Sequence, residues 1–113
     1  MKKKYKSWVF KYMQIKIKGT KMDLTPELKD YIEKKMLLLL KYYGNILRAD
    51  VEVEYTTAHH QKGQLYRAEV NLDVPGKLLR VEKTEEDIFK AIDKVKDHLK
   101  IELVKYKSKQ LNK

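Results

Sequence analysis

The sequence predicts an α+β two-layer sandwich of order β-α-β-β-β-α, with a four-stranded sheet and two helices on one face of it. Three observations lead there. Two long segments repeat apolar residues at helical spacing, four short ones alternate apolar with polar residues, and the connections allow one crossover followed by two hairpins. Each strand carries a single apolar face, so both helices belong on that face and the other meets water. A chain of 113 residues is long enough to bury a core of this kind as one domain.

The elements follow in order. Gln14 to Lys18 alternates, with Ile15 and Ile17 on one side, and reads as a short strand. In DLTPELKDYIEKKMLLLLKYYG, Thr25 is the expected N-cap, Pro26 suits the first helical position and Gly44 is expected to stop the helix. Leu28, Ile32, Met36, Leu39 and Tyr43 share its buried stripe, while Leu37 and Leu40 fall beside it and are expected to be partly exposed. ADVEVEYT then turns Val51, Val53 and Tyr55 inward and Glu52 and Glu54 outward. HHQKG is a turn, and YRAEVNLDV sets Tyr66, Ala68, Val70, Leu72 and Val74 against Arg67, Glu69, Asn71 and Asp73. Pro75 and Gly76 turn the chain again, Leu79 and Val81 belong to a fourth strand, and the segment from Glu85 to Lys109 is the final helix. Ile88, Ile92, Val95, Leu99, Leu103 and Tyr106 form its sheet-facing stripe, roughly 60° wide at 100° per residue.

Charge is unevenly placed. Of a net +10, residues 1–12 hold five lysines and no acid, and the segment 85–113 holds eight basic and six acidic residues with no acid after Glu102. We expect residues 1–12 to be a flexible basic arm, 13–109 the folded domain and 110–113 a tail. Trp8, Phe10 and Tyr12 in the arm suit either stacking on unpaired bases or weak attraction to an anionic membrane surface. In the final helix Lys96, Lys100 and Lys107 gather on one flank of the buried stripe, and Lys94, His98, Lys105 and Lys109 on the other. On the wet face of the central strands Glu52, Glu54, Glu69, Asp73 and Glu82 outnumber Arg67 and Arg80, a balance that repels phosphate. A nucleic-acid partner is therefore expected to meet the helices, and no aromatic RNP-like strand motif argues otherwise. The competing explanation is that lysines at a helix end are solvated and complement its dipole.

Several functions are excluded or disfavoured. Zero cysteines remove disulfides, thiolate metal sites and a cysteine nucleophile. The longest purely apolar run, Met36 to Leu40, is far below the roughly 20 residues that span a bilayer, so a cytoplasmic protein without a membrane partner is expected. His59 and His60 are adjacent in a turn with no second ligand cluster, so no metal is expected. The only serines, Ser7 and Ser108, lie near the termini, and Glu52 and Glu54 read as solvated alternating charge. We expect no enzyme, cofactor or small-molecule substrate.

MQIKIKGTKMDLTPELKDYIEKKM followed by EEDIFKAIDKVKDHLK resembles the bacterial ribosome hibernation factors, also known as the ribosome-associated inhibitor or sigma-54 modulation protein family. The likeness runs from Met13 to about Lys109. It implies the family's β-α-β-β-β-α fold, similar to a double-stranded RNA-binding domain with an extra strand. It also implies binding of the small ribosomal subunit in the channel for messenger and transfer RNA, with translation silenced in dormant or stressed cells. Ribosomal RNA phosphates would be met by basic side chains of the two helices, and a separate ribosome modulation factor would be a further partner. By its length the chain looks like the short form, or the N-terminal part of a longer one. The family's sigma-factor name leaves a protein-binding regulator as the alternative.

Carried over by position, Lys29, Lys35 and Lys41 match basic family positions in the first helix, and Lys105 and Lys107 do so in the last. His98 stands where a lysine is usual, Ile101 where an arginine is usual, Glu102 replaces a glutamine, and Leu38 replaces a frequent lysine. Lys94, Lys96 and Lys100, with Lys109 beyond them, supply charge from neighbouring positions. The expected RNA-binding set is therefore Lys29, Lys35, Lys41, Lys94, Lys96, Lys100, Lys105, Lys107 and Lys109.

Overall fold

A computed structural model describes residues 13–56 and 63–111. The basic arm, the His59–His60 turn and the last two residues lie outside the described residues. Strand β1 spans Gln14–Thr20, helix α1 Pro26–Leu38, β2 Arg48–Thr56, β3 Leu65–Val74, β4 Lys77–Glu85 and helix α2 Ile88–Leu111. The sheet order is β1-β2-β3-β4, with β1 parallel to β2 and the other two pairings antiparallel. That is the expected order and layer arrangement.

Alternation decides which side of the sheet is buried. Ala49, Val51 and Val53 of β2, Ala68, Val70, Leu72 and Val74 of β3, and Leu79 and Val81 of β4 all lie in the core. They meet Leu28, Ile32 and Met36 of α1 and Ile88, Ile92, Val95, Leu99 and Leu103 of α2. Tyr55 and Tyr66 stay half-buried as an edge-to-face pair 5.5 Å apart. Ala91 is also fully buried, and a small residue there lets the α2 backbone come close to its neighbours. Leu37 and Leu40 are half-buried as expected, whereas Leu38 is exposed.

The helix ends differ from the expected ones at three points. Gly44 does not stop α1, because the α-helix ends at Leu38 and tightens into a 3-10 turn over Leu39–Lys41. The amides of Tyr42 and Tyr43 both donate to the Leu39 carbonyl, at 3.0 and 3.3 Å, so the carbonyl is satisfied before Gly44 is reached. At the other helix, Glu85 belongs to β4 and α2 begins only at Ile88. Asp87 caps it, its side chain accepting from the Phe89 amide at 2.9 Å and its carbonyl from the Ala91 amide at 3.0 Å. α2 continues two residues beyond Lys109, to Leu111.

Thr25 caps α1 as expected, its hydroxyl accepting from the Leu28 amide at 3.1 Å. Replacing Thr25 with alanine orphans that amide and is expected to cost about 1 kcal/mol, read as a lower midpoint in urea unfolding; an unchanged midpoint would remove the cap from the account. At the β3–β4 turn Gly76 has φ +83°, and the Tyr106 hydroxyl, which donates to the Pro75 carbonyl, lies where a Cβ would come within 3.3 Å. That contact ties the C-terminal half of α2 to the end of the sheet. Among the described residues no helix is long and apolar enough to cross a membrane.

Candidate nucleic-acid interface

The open face of the sheet is largely self-neutralised. Arg67 is its centre: Nε donates to Glu54 Oε1 at 2.8 Å, and the terminal nitrogens lie 3.3 Å from both Glu52 and Glu69 and 3.7 Å from Glu82. Burial works against its charge, but hydrogen bonds to Glu54 and Glu69 and the nearby carboxylates outweigh that and hold its pKa above the ordinary value. Arg80 pairs with Glu69 and Glu82, and Arg48 with Asp50. Glu52 is kept below its ordinary pKa, first by the hydrogen bond from Thr20 at 2.6 Å and then, against some burial, by Arg67. The side chains of β1 add Lys16 and Lys18 beside Asp50 and Glu52, completing an alternation of sign across the face. Each arginine there already has carboxylate partners, so the face offers phosphate little.

The helical face differs. α2 alone carries seven lysines against Asp93, Asp97 and Glu102. The structure divides the expected lysines into those held by an acid and those left to solvent. Lys35 reaches Asp93 at 3.2 Å and lies 5.1 Å from the centre of the Tyr31 ring. Lys94 meets Glu85 at 2.6 Å, a bond that lowers the Glu85 pKa, and Lys96 meets its neighbour Asp97 at 3.1 Å. Lys105 is exposed and only 3.9 Å from Glu102, which His98 also approaches. Lys41, Lys107 and Lys109 are exposed, with no ion pair among the described residues.

The two helices are joined by a polar clasp that the sequence did not announce. Tyr31 donates to Asp93 at 2.5 Å, and Asp93 also takes Lys35. The hydrogen bond to Asp93, helped by burial and by the negative charges of Asp93 and Asp87, pushes the Tyr31 hydroxyl up to about 12. Phe89 packs edge-on against Tyr31 at 5.0 Å, closing the same junction. Lys35 is thus part of the helix–helix contact, and its reversal to glutamate would set a second carboxylate beside Asp93. Lys29 projects from the opposite side of α1, roughly 160° round from Tyr31 at 100° per residue, so it is not gathered with the others.

Farther along, where both helices end, Lys41, Lys100 and Lys107 do come together. The Lys100 ammonium sits 5.0 Å from the centre of the Tyr42 ring. Lys41, Tyr42, Val104, Lys107, Ser108 and Leu111 line a cleft of about 370 Å³ there. Tyr42 had no place in the reading of the sequence, because an aromatic pair before a glycine looks like core. Its neighbour Tyr43, half-buried like Tyr42, packs edge-on to Tyr106 at 5.7 Å. Among the described residues no cluster of His, Asp or Glu is arranged to hold a metal.

Comparison with known proteins agrees with this architecture. The ribosome hibernation promotion factor of Deinococcus radiodurans is 32% identical over 100 residues, covering 88% of this chain and 52% of its own length. The chain therefore spans about half of that relative. The ribosome hibernation promoting factor of Azotobacter vinelandii is 32% identical over 99 residues, covering 88% of this chain and 87% of its own. The crystal structure of the Thermus thermophilus Protein Y N-terminal domain superposes with a TM-score of 0.67 at 32% identity, covering 83% of this chain and 99% of that one. The family described as Sigma 54 modulation protein / S30EA ribosomal protein matches residues 15–111, nearly every described residue, and this chain belongs to it.

Proposed function

We propose that this chain is a cytoplasmic, non-enzymatic ribosome hibernation factor that occupies the messenger and transfer RNA channel of the small ribosomal subunit and so inhibits translation. The reading is supported most by the contrast between the two faces: arginines already paired with carboxylates on the sheet, and lysines in excess on the helices. Lysine brings charge without bidentate geometry, which suits the backbone of folded RNA better than base discrimination. Contact with RNA phosphate displaces condensed counterions, so about six such contacts give a log–log salt slope of roughly −4 to −5.

Sedimentation of the pure protein with isolated small subunits through sucrose tests this. Co-migration at low salt that is lost steeply as salt rises is the expected result. A protein that stays at the top of the gradient at every salt concentration would reject ribosome binding and turn attention to a protein partner.

A further inference from the structure

We propose that the cleft between the C-terminal ends of α1 and α2 holds one unpaired RNA nucleotide, its base against Tyr42, Val104 and Leu111 and its phosphate between Lys41 and Lys107. The inference rests on ribosomal RNA being the partner and adds a stacking contact to the charge contacts above. Its volume, about 370 Å³, falls at the lower end of ligand-sized clefts, roughly 300–1,000 Å³. Val104 and Leu111 are 49% and 77% exposed, an apolar floor that water covers poorly. Tyr42 is half-buried against the core, with the Lys100 ammonium 5.0 Å from its ring centre, so it offers a stacking surface at little further loss of freedom.

The walls say what kind of anion fits. One wall is α2 and the other is the 3-10 turn after α1 with Tyr42 at its end, and together they offer a ligand one aromatic ring, two lysines and the Ser108 hydroxyl. A nucleobase needs little beyond a ring to lie on, and stacking on an aromatic is tolerant of sequence. Both helices also end here, where the dipole is negative and repels phosphate. The lysines offset that repulsion, and no acid lines the cleft among the described residues.

Affinity is measured for two probes, isolated small subunits and a single-stranded uridine hexamer at low salt. Tyr42→Leu keeps the apolar body that packs on the core and removes the ring; it is expected to weaken both complexes about tenfold without changing the salt slope. Tyr42→Trp restores the affinity, and Lys41→Gln with Lys107→Gln lowers the hexamer slope by about 1.4. A thermal midpoint within a few degrees of the parent shows that each variant is folded.

Equal binding of Tyr42→Leu and parent to both probes overturns the cleft and leaves ribosome binding standing. Binding of the hexamer alone, still dependent on Tyr42, supports the cleft and overturns the ribosomal reading. Failure to bind either RNA overturns both. A polyglutamate peptide that binds the parent but not Tyr42→Leu, with RNA binding unaffected, assigns the cleft to an acidic protein and also overturns the proposal.

Discussion

Replacing Lys41, Lys100 and Lys107 together with glutamine is expected to weaken binding to small ribosomal subunits about a hundredfold near 0.15 M salt. The size follows from counterion release: each lost phosphate contact lowers the log–log slope by about 0.7 to 0.9, so three reduce it by roughly 2 to 3. Extrapolated from 1 M, where the electrostatic part vanishes, to 0.15 M, that slope change is about two decades of affinity. Stability is expected to change little, since none of the three has an ion-pair partner among the described residues and the Lys100–Tyr42 contact is worth under about 1 kcal/mol at an exposed site. Binding titrations at several salt concentrations read both quantities. A variant with the parent's slope would place the phosphate contacts elsewhere.

Arg67→Met is expected to destabilise the domain by about 2 to 3 kcal/mol at pH 7, measured by urea unfolding. Breaking a fully buried pair typically costs about 3 to 5 kcal/mol, and the figure is lower here because Arg67 is only partly buried, at 19% side-chain exposure, and its carboxylates also reach water. The pH dependence carries the sharper sign. In the parent, the depressed Glu52 pKa contributes stability that is present above the ordinary value of 4.5 and lost as pH falls through the folded value. In the variant Glu52 keeps the Thr20 hydrogen bond but loses the Arg67 charge and hydrogen bond, so its pKa is depressed less and it contributes less stability above 4.5. The gap between variant and parent should therefore narrow as pH falls below 4.5. A gap that stays constant would mean that packing of the arginine stem, not charge, carries the effect.

The strands were legible because a half-buried strand alternates with period two, and a slip of one residue would have put Glu52 in the core. The helical stripes were legible for the same kind of reason, with Leu28, Ile32 and Met36 at four-residue spacing. The end of α1 was not, since five consecutive methionine and leucine positions, Met36 to Leu40, give no sign of where the turn tightens. Nor does a glycine signal a stop when a 3-10 turn has already bonded the last carbonyl. At the interface the lysines were visible as charge, but their availability depends on which acid each one meets. Lys35 and Asp93 are 58 positions apart and are neighbours only because α1 and α2 pack side by side. Tyr42 escaped notice because adjacent tyrosines look alike in sequence, and only the packed backbone sets one on the cleft and the other on Tyr106.

The bond from Tyr31 to Asp93 ties the two helices together, and with its hydroxyl pushed up to about 12 the phenol stays protonated as the donor at physiological pH. The spacing of the cationic side chains is thus set before any encounter, as in a gauge cut to one width. With the RNA channel proposed above as the partner, docking would demand little rearrangement, so misfit is met by rejection and not by accommodation. Selectivity for one groove among many polyanions can arise from this stiffness alone, without a single base being read.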